Sequence, residues 1–222
     1  MSEHSKQFID QDTDTLQFRA VIDFFKNKRN GFFVEMGAAD GVLGSNTYRL
    51  ERDFGWDGIL IEPIKEYCDQ ISKYRKASHV FNVCIGENEG TVEFTRIEGY
   101  SKLLSGISTQ YPPEHKNRID REVQQMGQEI HVDLVPCKKL ITVLNECGIS
   151  VVDYLSVDVE GGELSVLKSL CMEQNAIRPT LIGCENNYKS AEVYEYLKQF
   201  GYVNVGSTGG DDFFYHGEQE PK

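Results

Sequence analysis

Positive charge is in short supply in this chain of 222 residues: 23 Lys and Arg stand against 35 Asp and Glu, a formal net charge of −12. Gripping a nucleic-acid backbone needs a basic stripe. Nucleic acid is therefore not the expected partner, although the balance leaves room for a small or capped nucleotide. Long hydrophobic runs are also missing, and residues 1–17 are polar, with no basic-plus-apolar leader. No membrane span is expected. Cysteine is limited to Cys68, Cys84, Cys137, Cys147, Cys171 and Cys184, with no Cys-x-x-Cys pair among them. That pattern excludes the usual structural zinc frameworks and reads as reduced core thiols in a cytoplasmic setting. No internal repeat or low-complexity tract is visible. What remains is globular: 40% hydrophobic and 11% aromatic residues, enough for one domain over residues 1–222 with a real core.

The stretch around which the chain is arranged is Gly31-Phe-Phe-Val-Glu-Met-Gly-Ala-Ala-Asp-Gly41. Its apolar run, Phe32 to Met36, reads as a buried parallel strand. Glu35 stands near the strand's end, and Gly37, Ala38 and Ala39 follow with no bulk among them. Ser45-Asn-Thr then offers an N-cap to a helix over residues 48–54. A strand, a small-residue turn and a helix start let a ligand lie close against backbone N–H groups. The spacing Glu35-x-Gly37-x-x-x-Gly41 departs from the dinucleotide fingerprint Gly-x-Gly-x-x-Gly. It resembles the first motif of class I S-adenosylmethionine (SAM) methyltransferases. The bland alternative is an ordinary strand–helix turn that needs glycine.

In chain order, Phe18, Val21, Ile22 and Phe25 mark an amphipathic helix within an N-terminal extension over residues 1–30. Gly58-Ile-Leu-Ile-Glu62-Pro63 is a second buried strand. A helix follows through Ile64, Tyr67, Cys68, Ile71 and Tyr74, and residues 79–85 form a third strand. This is βαβαβ, half of a doubly wound α/β sheet. The order then breaks. Residues 91–97 and 131–135 alternate as half-exposed strands, expected as an antiparallel extension of the sheet. Between them, residues 99–131 are polar and irregular, punctuated by Gly99, Gly106, Pro112, Pro113 and Gly127, and are expected as a lid, since connections this long are usually functional. Helical spacing resumes through Leu140, Val143, Leu144 and Cys147. Residues 152–158 make a fourth strand, Leu164, Leu167 and Leu170 a helix, and residues 179–185 a fifth strand. Val193, Tyr194, Leu197 and Phe200 form a last helix before a hairpin over residues 202–205 and 212–215.

Ligands of such sheets bind beyond the carboxyl ends of the strands. Those ends carry Glu35, Glu62, Asp158 with Glu160, and Glu185 with Asn186. One acid at a strand end is ordinarily solvation, but four along one rim point to a site. Glu62 can accept both hydroxyls of a ribose, cap the next helix, whose first residue Pro63 suits that place, or do both. Glu35 is placed to attract a cationic amino-acid end.

Taken together, Phe33-Val-Glu-Met-Gly-Ala-Ala-Asp-Gly, Ser45-Asn-Thr, Gly55-Trp-Asp-Gly-Ile-Leu-Ile-Glu-Pro and Asp153-Tyr-Leu-Ser-Val-Asp-Val-Glu-Gly-Gly-Glu resemble the FkbM-like methyltransferases over residues 32–215. The resemblance implies a Rossmann-like class I methyltransferase sheet, mostly parallel, with its last strand antiparallel. It implies SAM as cofactor and O-methylation of a hydroxyl on a sugar, polyketide or similar metabolite. Cofactor contacts are expected from Glu35, Gly37, Ala38, Asp40, Gly41, Ser45, Asn46, Thr47, Glu62 and Pro63, with Asn82, Val83 and Cys84 as an adenine wall. Asp158, Glu160 and Glu185 are the candidate catalytic residues. Asp158, Glu185 and Asn186 resemble the divalent-metal site of catechol-type O-methyltransferases, with Glu185 where that pattern has Asp; oxygen ligands suit Mg2+. His115, His131 and His216 are possible bases, with a surface or lid position as the plainer reading of each. The competing readings are a catalytically silent module that keeps the fold, and a nicotinamide dehydrogenase, which the glycine spacing disfavours.

Overall fold

The computed structural model describes residues 13–76 and 78–217; the start of the expected N-terminal extension lies outside the described residues. Helix α1 (Leu16–Phe24) is capped by Thr15, whose Oγ1 accepts from Phe18 N at 2.9 Å. It leads into strand β1 (Phe32–Met36), helix α2 (Tyr48–Phe54), strand β2 (Asp57–Ile61) and helix α3 (Lys65–Tyr74). Strand β3 (His79–Phe81) completes this half. After an excursion come α5 (Leu140–Glu146), β8 (Tyr154–Val157), α6 (Glu163–Ser169), β9 (Leu181–Glu185), α7 (Glu192–Lys198) and the hairpin β10 (Tyr202–Thr208) and β11 (Asp211–His216). The excursion itself holds β4 (Cys84–Ile85), β5 (Gly90–Ile97), β6 (Gly106–Ile107), α4 (Pro113–Met126) and β7 (Ile130–Lys138).

The inner sheet has seven strands in the order β10-β11-β9-β8-β1-β2-β3. Pairing is parallel from β9 to β3, and β11 runs antiparallel between β9 and β10. Side chains alternate along each strand, and both faces are covered. Val34, Met36, Ile59, Ile61, Leu155, Val157 and Ile182 pack with residues of α5, α6 and α7 such as Leu144, Leu167 and Leu197. Phe33, Leu60, Tyr154, Leu181 and Phe213 pack the other way, with Phe18, Val21, Leu50, Trp56 and Ile71 of the α1, α2 and α3 side. Burial on both faces explains why the strands read as continuous apolar runs.

Residues 79–85, expected as one strand, serve two sheets. β3 pairs with β2, and β4 pairs in parallel with β7, Cys84 opposite Cys137. The break is at Asn82, whose Nδ2 donates to the backbone oxygens of Glu62 (3.0 Å) and Pro63 (2.8 Å) and so closes the edge of the inner sheet. The antiparallel extension is present and takes the form of this second sheet, ordered β4-β7-β5-β6, with β5 and β7 antiparallel over their whole length. The polar 99–131 stretch is more regular than its composition suggests. It contains α4, which starts at Pro113 and ends at Gly127, and whose Ile119 packs with Ile97 and Leu104.

Candidate active site

The carboxyl ends of β1, β2, β8 and β9 open into a cavity of about 480 Å3, roofed by residues 102–107 and by Gln110 and Arg118. Its walls divide by chemistry. On one side lie Met36, Gly37, Ala38, Ala39, Ile61, Glu62, Pro63, Ile64, Val83 and Cys84. On the other lie Asp158, Val159, Glu160, Glu185 and Asn187. Gly37 has φ +75°, and a Cβ there would fall 1.9 Å from the Asp158 backbone oxygen. A side chain is thus forbidden where the two halves meet.

Glu62 projects from the end of β2, only 5% exposed. Its Oε2 accepts from Ala39 N at 2.9 Å and its Oε1 from Ile64 N at 2.8 Å. Each oxygen keeps a second lone pair toward the cavity, so the helix cap and the ribose role are compatible. Burial pushes its carboxyl up to about 7 against the pull of the two N–H groups. Pro63, Val83 and Cys84 line the cavity as expected.

Several expected cofactor residues do not line it. Glu35 shares the face of Phe33, because strand side chains alternate, and so points into the α2 and α3 layer. Its carboxylate is enclosed: Asn46 N donates at 2.8 Å, Ser45 Oγ at 2.9 Å and Thr47 Oγ1 at 2.5 Å. Asp40 turns back on its own loop, its Oδ1 accepting from Val42 N and Leu43 N. Ser45 acts as the expected cap, accepting from Tyr48 N at 3.1 Å. Asn46 joins Ser156 Oγ and Thr15 Oγ1. Gly41 is a glycine for packing reasons, since a Cβ there, at φ +75°, would meet Ile71 Cγ1 at 2.8 Å. Asn82 is the staple described above. These residues underlie the cofactor half of the cavity without facing it.

The catalytic candidates do converge. Asp158, Glu160 and Glu185 offer carboxyl oxygens all within 4.8 Å of one another. Glu160 gets there through a left-handed turn, φ +60°, after β8 has ended. All three carboxyls are pushed up, first by burial and then by the neighbouring carboxylates. With their oxygens this close, the carboxyls repel one another when ionised, which favours a proton on at least one of them. The expected metal set is not assembled. Asn186 faces away, its Nδ2 donating to Ser190 O and Asp212 Oδ2 and its Oδ1 accepting from Ser190 N. The turn after β9 puts Asn187 at the cavity instead, where its amide donates to Glu185.

Sequence reasoning missed two groups here. Arg118 of α4 and Gln110 line the cavity with Asp158 and Glu185, and their polar surroundings gave no periodic signal. His115, within the expected lid stretch, is fully buried and not at the surface. Its Nε2 lies 3.1 Å from Leu104 O, which can only accept, so that nitrogen carries the proton. Its Nδ1 lies 3.0 Å from Tyr188 Oη and 3.3 Å from Glu160. His131 lies on β7 in the outer sheet and His216 at the end of β11, both away from the cavity lining.

The sequence model described as the methyltransferase FkbM domain matches residues 35–203. The chain belongs to the FkbM methyltransferase family. A methyltransferase FkbM from Methylobacillus flagellatus KT has the same fold, at 13% identity and a TM-score of 0.50. The match covers 95% of this chain, which spans 57% of the length of that one. The METTL16 methyltransferase domain is similar at 12% identity and a TM-score of 0.49, covering 89% of this chain and 65% of that one. M. capricolum TrmK, solved with S-adenosyl-homocysteine, is similar at 6% identity and a TM-score of 0.46, covering 94% of this chain and 73% of that one. A search of curated proteins returns no match. The architecture is that of the class I methyltransferases, and among the described residues no helix is long and apolar enough to cross a membrane.

Proposed function

We propose that this protein transfers a methyl group from SAM to a hydroxyl of a sugar, polyketide or similar small metabolite. One observation carries the reading: a single cavity joins the ribose-type acid Glu62 to the carboxyls of Asp158, Glu160 and Glu185. The cofactor half suits SAM in three ways. Gly37, Ala38 and Ala39 give bare backbone, Glu62 keeps lone pairs for two ribose hydroxyls, and Ile64, Val83 and Cys84 give an apolar wall for a base. Bound there, SAM supplies an electrophilic methyl group to a nucleophile aligned with its sulfur. Alignment is most of what such a displacement asks of a protein.

The remaining requirement is a place for the hydroxyl proton. Among the crowded carboxyls of Asp158 and Glu185, one holds a proton and the other, ionised, accepts a hydrogen bond from the acceptor. As the oxygen attacks, its proton passes to that carboxylate. Asn187 and Arg118 hold the far side of the acceptor, and the residues 102–107 strap excludes water. A divalent cation held by Asp158, Glu160 and Glu185 is the second reading, favoured by the convergence of their oxygens.

The test uses methyl-labelled SAM against a panel of sugar, polyketide and nucleotide-sugar hydroxyls, with calorimetry of S-adenosylhomocysteine (SAH) and NAD. An O-methylated product is expected. Activity lost to chelator and restored by Mg2+ selects the metal reading. Failure to bind SAH leaves a silent module, and NAD binding in its place a dehydrogenase; either result overturns the proposal.

A further inference from the structure

Beneath the cofactor half of the cavity lies a buried cation that the reactions above do not use. Arg75 follows the last turn of α3 and is 2% exposed. Its guanidinium reaches three separate parts of the chain. Nη1 donates to Gly41 O at 2.9 Å and to Ser45 Oγ at 3.1 Å. Nη2 donates to Thr47 Oγ1 at 2.9 Å, and Nε donates to Glu51 Oε2 of α2 at 2.8 Å. Glu35 Oε2 lies 3.8 Å from Nη1. The faces of the plane are taken as well, by the rings of Phe33 at 5.4 Å and Tyr48 at 5.7 Å.

Everything Arg75 and Glu35 hold belongs to the loop of residues 37–47 or to its exit into α2. Ser45 and Thr47 are bonded to both, their hydroxyls donating to Glu35 and accepting from Arg75. From this base the loop presents Gly37, Ala38 and Ala39 to the cavity. Ala39 N in turn holds Glu62 Oε2 at 2.9 Å. The chain of contacts therefore runs from Arg75 through the loop to the ribose acid, and Glu35 acts from below the loop, not on the ligand.

We propose that Arg75 is a positioning residue for the cofactor, which with Glu35 sets the 37–47 loop and through Ala39 the Glu62 carboxylate. The inference rests on the SAM reading of the cavity. It differs from the usual expectation for an acid in this motif, namely direct contact with the amino-acid end of the ligand. A planar fork of five donors can span Glu51, Thr47 and Gly41 at once; an ammonium cannot.

The two roles separate by ligand. 5′-Methylthioadenosine lacks the amino-acid end of SAH but keeps the ribose and base. Calorimetric titrations of both ligands are made on wild type, Arg75→Met, Arg75→Lys and Thr47→Val, well below each variant's melting midpoint, so that loss of global stability alone leaves the folded protein's affinity unchanged. In the Arg75 variants both ligands are expected to weaken by about tenfold or more, the scale of removing an outer partner of a binding group. Thr47→Val, which removes one hydroxyl from a buried site of nearly the same shape, should weaken both in the same direction and is decisive if Arg75→Met does not fold. Affinities within twofold of wild type overturn the proposal. So does a loss confined to SAH, which would put Glu35 or Arg75 on the amino-acid end, and so does full affinity in Arg75→Lys. Wild type that binds neither ligand overturns the SAM reading itself.

Discussion

Replacing Glu62 by Gln should weaken the cofactor and remove the pH dependence of its binding. In the free protein the Glu62 carboxyl is pushed up to about 7 by burial, with only Ala39 N and Ile64 N to favour the anion. Two ribose hydroxyls arriving at the remaining lone pairs favour the anion further, so binding draws on the ionised fraction. At pH 6 about one molecule in eleven is ionised, and the affinity for SAH should lie about tenfold below its plateau above pH 8. Glu62→Gln keeps the volume but loses the charge, and its NH2 end faces one of two N–H groups that both need an acceptor. Losing a charge-assisted pair costs roughly 1.5–3 kcal/mol, or about ten- to a hundred-fold in affinity. The assay is calorimetry of SAH from pH 5.5 to 8.5 on both proteins. A wild-type affinity flat across that range, or a Gln variant as tight as wild type at pH 8.5, would refute the reasoning.

Three further outcomes follow from the geometry. Asp158→Asn and Glu185→Gln should each cut methyl transfer by about a hundred-fold or more, from the lower end of the range for general base catalysis upward, while SAH affinity stays within a few-fold; wild-type rates in both would reduce these acids to structure. Burial and neighbouring carboxylates raise Asp158, Glu160 and Glu185, so the folded chain holds protons that the unfolded chain releases above about pH 4. Stability is then greatest at low pH and falls as pH rises through the folded values. The melting midpoint should drop between pH 5 and 8, and less steeply in Glu185→Gln; a rising midpoint would contradict the sign. Limited proteolysis should cut residues 99–131 before the inner sheet, and more slowly with SAH present, because the roof over the cavity belongs to this stretch; equal cleavage with and without ligand would count against a lid.

Which residues were legible in the sequence follows from where their determinants lie. β1, β2, β8 and β9 are apolar runs bounded by glycine, proline or acid, a local pattern, and their limits differ from the expected ones by only a residue or two. β3 and β4 read as one run because nothing local marks Asn82 as an edge. Its side chain finds Glu62 and Pro63 only after the sheet has formed. α4 escaped because its buried stripe is thin, His115 and Ile119 in an otherwise polar helix, and its apolar partners Ile97 and Leu104 are distant in sequence or outside the helix. Parity would have served better than motif at Glu35, which shares a face with Phe33; Asn187 reaches the cavity from the turn after β9, which parity does not predict. Of the motif residues Glu35, Gly37, Gly41 and Glu62, Glu35 and Gly41 answer to packing and to Arg75, which leaves Gly37 and Glu62 on the cavity itself.

The second sheet is joined to the first by a narrow stem. The chain leaves at Asn82 and comes back along β7, and Cys84 faces Cys137 across the base. Everything that roofs the acceptor side hangs from that stem as a cassette, while the strand order of the inner sheet and both N–H partners of Glu62 belong to the chassis. Exchange of the cassette between chains, in evolution or by grafting at residues 83 and 138, leaves the 37–47 loop and Glu62 in place and rewrites the roof together with the Cys84 part of the wall. Its constraints are the contacts the cassette makes with the chassis, among them His115 with Glu160 and Tyr188, and Gln110 with Ser165; a graft has to carry partners for them. On the proposed reading, a change of cassette would alter acceptor choice while Glu62 and the 37–47 loop stay as they are.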